Sequence, residues 1–135
     1  MRAFIKFNLG LIRSPLPVRL WLILLLAANL GALFFLNHVE AQVALVALMA
    51  SMALMTILTG LTGFTRLLSV GHIFWVPMLF WLWSRLDQIP AHDAFGIWIR
   101  VLMTVNFVSL LLDTVEVIRY IRGEREETVQ GLPAK

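Results

Sequence analysis

Lysine, arginine, aspartate and glutamate are sparse along this chain, and the stretches between them are long. Residues 20–39 carry none between Arg19 and Glu40, residues 41–65 none between Glu40 and Arg66, and residues 67–84 none between Arg66 and Arg85. A helix needs about 20 predominantly apolar residues to cross a hydrocarbon core about 30 Å thick, so each stretch is long enough. A fourth candidate, residues 95–118, has an uncharged centre of only 101–112, flanked by Arg100, Asp113 and Glu116. Each Val, Leu and Phe of that centre contributes about −0.3 to −0.6 kcal/mol to insertion, against about +2.5 to +3.5 for one charge at mid-membrane. There are eight such residues, and the three charges lie near the ends, where the penalty is smaller. The fourth stretch therefore also predicts a span.

The pattern as a whole predicts an all-α polytopic membrane protein. Four transmembrane helices fall near 20–37, 42–63, 67–84 and 95–118, within a domain of residues 19–119. The connections, at about 37–42, 63–67 and 85–94, are short enough to make successive helices antiparallel neighbours in a bundle. Residues 120–135 are expected to be a cytoplasmic tail, with the run 122–127 a solvated helix end and 128–135 frayed.

Residues 1–18 hold Arg2, Lys6 and Arg13 at helical spacing, opposite Phe4, Ile5, Leu11 and Ile12. This predicts a short amphipathic helix on an anionic cytoplasmic leaflet, ended by Pro15 and Pro17. The same stretch has the basic and leucine-rich ingredients of a signal peptide, with Ala27 and Ala28 as a cleavage site. The expectation is an uncleaved interfacial helix.

Charge sets the orientation. With four spans and both ends inside, nine of the 11 basic side chains are cytoplasmic, and Arg85 and Arg100 are outside. With three spans the asymmetry would nearly vanish. Trp21 and Tyr120 then fall at cytoplasmic ends and Trp81, Trp83 and Trp98 at outer ends, where aromatic belts sit; Trp75 lies deeper. The expected location is a bacterial inner membrane, N-in and C-in.

Composition narrows the chemistry further. Only 14% of residues are charged, where soluble domains have about 25%. With no cysteine there is no disulfide framework, thiolate catalysis or Cys-based metal site. No phosphate-binding glycine loop, nucleophile elbow or zincin helix is present. The high pI, about 10.2, reflects orientation, so the expected partners are the bilayer and its anionic lipids and not nucleic acid. No cofactor is expected.

Small residues recur at four-residue spacing in Ala27 and Gly31, Ala28 and Ala32, and Ala47 and Ser51. Such spacing lets membrane helices approach closely, here the first span on the second in preference to a dimer contact. Pro77 removes one hydrogen bond from the third span and frees the carbonyl of Ile73, beside His72, which predicts a kink.

The fourth span carries Asn106, Ser109, Asp113, Glu116 and Tyr120 in steps of three and four, one stripe on one helix face. Intramembrane polar groups face a bundle interior or a wet cavity. The topology places Thr56, Thr59 and His72 at the depth of Asp113, sets Asn29 opposite Asn106, and leaves Arg66 as the available cation. Two carboxylates one turn apart could handle protons; alternatively they pair with Arg66, Arg119 or His72 and hold helices together. On the opposite side His38, Glu40, His92 and Asp93 are weak candidates for a zinc or copper site, without a supporting motif spacing.

Three functions remain. The first is an accessory, assembly or structural subunit of a membrane complex or homo-oligomer, without chemistry of its own. The second is a proton, cation or small-solute conduit along the fourth-span stripe. A membrane enzyme using Asp113 and Glu116 ranks last, since two carboxylates without a nucleophile, phosphate clamp or metal make a poor catalytic set.

Overall fold

The computed structural model describes residues 1–134, and among these every regular element is helical. Five α-helices occur: α1 (Arg2–Arg13), α2 (Leu16–Leu30), α3 (Val39–Thr62), α4 (Trp75–Arg85) and α5 (Ala94–Ile121). Stretches of 3-10 helix prolong α2 through Gly31–Phe35, precede α4 over Arg66–Phe74 and follow it over Leu86–Gln88. The continuous helical segments Leu16–Phe35, Val39–Thr62, Arg66–Gln88 and Ala94–Ile121 are each long and apolar enough to cross a membrane.

Local chemistry explains the boundaries. Ser14 leaves the helical region at ψ 150°, as a residue before proline prefers, and its hydroxyl donates to Gly10 O. Pro15 then caps α2. Pro17 lies in the first turn, where a missing N–H costs nothing, so it opens a helix and does not end one as expected. α3 stops at Gly63, whose φ of 83° suits a glycine. Asp93 caps α5 by accepting a 2.7 Å bond from Gly96 N.

The predicted disturbance at Pro77 is broader than a kink. The nine residues Arg66–Phe74 wind as a 3-10 helix, and α-helical winding starts at Trp75, two residues before the proline. Runs of 3-10 helix beyond three or four residues are uncommon. Here Gly71 passes so close to Met55 of α3 that a Cβ would meet the Met55 Cγ.

One core cluster gathers Leu25, Ala44, Trp75, Leu82, Ile99 and Leu102, and a second gathers Phe7, Met55, Phe64, Leu68 and Val129. The second corrects two expectations about the chain ends. Lys6 is only 4% exposed and forms an ion pair with Glu127, so it turns into the protein and not toward a leaflet. The tail does not fray at 128–131. Thr128 N donates to Phe64 O, Val129 is buried, and Arg13 Nη1 donates to Gly131 O at 2.6 Å. The tail supplies the carboxylate and the apolar cover that α1 would otherwise lack.

The small-residue pattern is also used inside the chain, though partly against a different helix. Ala32, Ala47 and Ser51 are buried. Gly31, however, lies under the indole of Trp98 on α5, whose Nε1 donates to Ala28 O at 2.8 Å.

Candidate functional site

The stripe on α5 meets α2 first. Asn29 and Asn106 are both fully buried and exchange amide hydrogen bonds of 2.8 and 3.1 Å. Asn29 Nδ2 also donates to Leu25 O. Ser109, next along the stripe, is buried.

Further along, the stripe meets the 3-10 segment. His72 Nδ1 lies 2.8 Å from Asp113 Oδ2, and Arg66 Nη1 donates to Glu116 Oε2. Three residues per turn put positions 66, 69, 72 and 75 on one face. In an α-helix, positions 66 and 72 would be about 120° apart. The 3-10 winding thus lets one segment present the Arg66 guanidinium and the His72 imidazole to the carboxylates of a single α-helical face.

Glu116 also accepts from Arg119 Nη1 at 3.4 Å, and Arg119 Nη2 donates to Glu124 at 2.7 Å. Arg66 Nε reaches Glu124 at 3.4 Å. The result is a four-membered ionic network at the end of α5. Hydrogen bonding from Arg119 holds the Glu124 carboxyl below its ordinary range, against a smaller opposing contribution from desolvation.

The two threonines behave differently from expectation. The hydroxyls of Thr56 and Thr59 donate to Met52 O and Met55 O within α3. Threonines in helices commonly bond back to the preceding turn, and neither proton is then available to Asp113.

The weak metal candidates are each engaged elsewhere or set apart. The His38 ring stacks on Phe95 at 3.8 Å, Glu40 accepts from Arg85 Nε at 2.8 Å, and Asp93 caps α5. Among the described residues no group of three or more His, Asp or Glu side chains is placed to hold a metal ion.

Two features had no signal in residue spacing. Lys6 and Glu127 are 121 positions apart. Trp75 is 1% exposed and stacks on His72 at 4.0 Å, and its Nε1, like the Ser51 hydroxyl of α3, is buried without a hydrogen-bond partner. Compared with known protein families, characterised proteins and solved structures, the chain matches none.

Proposed function

We propose that the chain is a four-span integral membrane protein of a bacterial inner membrane with both termini cytoplasmic. Its role is that of an accessory, assembly or structural subunit, in a larger membrane complex or a homo-oligomer, without catalytic chemistry. The observation that carries this reading is the pairing of α5. Asn106, Asp113 and Glu116 are bound by Asn29, His72 and Arg66 of the same chain, so these groups act as fastenings between helices. The large apolar side chains left exposed support the membrane setting. Leu20, Ile23, Val46, Ile57, Phe80 and Phe107 are each more than half exposed, which suits acyl chains as solvent. α1 keeps Phe4, Ile5 and Ile12 outward, with Arg2 and Arg13 to meet anionic headgroups.

The test is co-purification in mild detergent with the native mass measured. A protomer recovered with a stoichiometric partner, or a closed homo-oligomer that gives no flux in liposomes, supports the subunit role. One observation favours a conduit as the second reading. The unpartnered donors of Ser51 and Trp75, the latter stacked on His72, are groups that a water file could bond. Proton flux through purified protein in liposomes would establish that reading.

A further inference from the structure

Between α3 and α4 runs an open groove of about 560 Å3, lined by Val39, Gln42, Ala47, Ala50, Phe74 and Trp81 among others. Its lining residues are apolar apart from Gln42, whose amide nitrogen donates to Leu36 O, and the indole N–H of Trp81. From Val39 to Ala50 the groove follows α3 for about 16 Å at 1.5 Å per residue. That is close to half of a hydrocarbon core about 30 Å thick, the depth of one leaflet. The end at Val39 and Trp81 is the charged end. Arg85 lies over the Trp81 ring at 4.9 Å and donates through Nε to Glu40, the neighbour of Val39. The Arg85 side chain is 35% exposed while that of Glu40 is 9% exposed, so of this pair beside the groove's end the guanidinium is the accessible partner.

We propose that this groove holds one acyl chain of a glycerophospholipid whose phosphate is bound by the outward nitrogens of Arg85. Guanidinium nitrogens suit phosphate oxygens, and Nε is already committed to Glu40, which fixes the direction of the fork. A partner helix or a second copy would have to bring a carboxylate to the exposed guanidinium, whereas a phospholipid carries its phosphate with its acyl chain. The assignment rests on the membrane reading above.

The test uses the full chain in mild detergent, offered phosphatidylglycerol, phosphatidylethanolamine or diacylglycerol, with retained lipid counted by native mass spectrometry. Both phospholipids are expected to be retained at one per chain, about tenfold better than diacylglycerol, which lacks the phosphate. Ala50→Phe fills the groove and should abolish retention, whereas Met49→Phe, on the exposed face beside it, should not. The double variant Glu40→Gln/Arg85→Gln keeps a neutral pair and should reduce phospholipid retention to the diacylglycerol level, so the test does not depend on Ala50→Phe folding. Equal retention of diacylglycerol, or loss in neither variant, overturns the proposal. The chain has no cysteine, so Ala50→Cys gives a single thiol. Cross-linking of two chains through it would assign the groove to a second copy and also overturn the lipid. A chain that fails to enter bilayers removes the membrane reading itself; an inserted chain without retained lipid removes only the groove assignment.

Discussion

Asn29 on α2 and Asn106 on α5 are joined by two reciprocal amide hydrogen bonds, and neither side chain has any exposed surface. Replacing Asn29 by Leu leaves the Asn106 amide buried without its partner, and replacing Asn106 leaves Asn29 with only its bond to Leu25 O and a buried, unbonded carbonyl oxygen, a loss of about 1–3 kcal/mol in either case. Replacing both removes donors and acceptors together. The double variant Asn29→Leu/Asn106→Leu should therefore be no less stable than the worse single variant. Thermal unfolding of all four proteins in one detergent, read as a double-mutant cycle, checks this. Additive losses would show that the two amides act independently.

That pair was legible in the sequence because each helix offers a single asparagine at matching depth in an otherwise apolar face. The four long segments were legible for a similar reason, since uncharged runs report length directly. Their ends were not. Glu40 lies inside α3 and Leu86–Gln88 extends the helical segment after α4, because Glu40 and Arg85 pair across the two helices and can be kept within them. The 3-10 winding was hidden because hydropathy reports apolarity, not the number of residues per turn. Thr56 and Thr59 look like partners on a helical wheel, but a hydroxyl can bond its own preceding turn, and periodicity does not register that choice. Lys6 looked like a headgroup contact because its partner, Glu127, lies at the far end of the chain.

Gly71 tests the close crossing of the 3-10 segment over α3. A Cβ there meets Met55 Cγ, next to the backbone, where the methionine has least freedom to move aside. Gly71→Ala should destabilise by about 1–3 kcal/mol, the usual cost of overpacking. Shortening the neighbour in Gly71→Ala/Met55→Ala should recover part of that loss. Thermal melts of the single variants and the double variant decide it; a neutral Gly71→Ala would show that the two elements can separate.

The orientation makes a separate prediction. In the proposed four-span arrangement nine basic residues fall on the side of the two termini and two on the other, which predicts cytoplasmic termini. Reporter fusions after residue 135 and near residue 90 should then signal from opposite faces. The same face for both would exclude the four-span arrangement.

At the end of α5, pH should act through Glu124. Its carboxyl is held below the ordinary value of 4.5 by the hydrogen bond from Arg119. A depressed folded-state pKa contributes stability above the unfolded value and loses it as pH falls through the folded one. The contact between Glu124 and Arg119 should thus persist at neutral pH and open only below the usual carboxylate range. An NMR titration of the Glu124 side chain should give a midpoint that rises toward 4.5 in Arg119→Gln. An unchanged midpoint would mean that the bond does not hold in solution.

Asp113 is the group on which the subunit and conduit readings part. Its carboxylate faces His72 across 2.8 Å, and both side chains are mostly enclosed, at 16% and 12% exposed. Asp113→Asn keeps the shape and still offers an oxygen to the imidazole N–H, so it removes the charge and leaves an acceptor. If the pair is a fastening, this variant should lose about 1–2 kcal/mol, the difference between a charged and a neutral hydrogen bond. Asp113→Leu should lose more, because His72 is then left unbonded. Any function of an associated complex would fall only in proportion to the protein lost. If the pair passes protons, Asp113→Asn should instead assemble normally and abolish flux, because an amide does not exchange a proton as a carboxylate does. Assembly and proton flux measured on the same liposomes separate these outcomes. Wild-type protein that assembles, holds a pH gradient and passes no current leaves the Asp113 and His72 pair as a structural tie between α5 and the 3-10 segment.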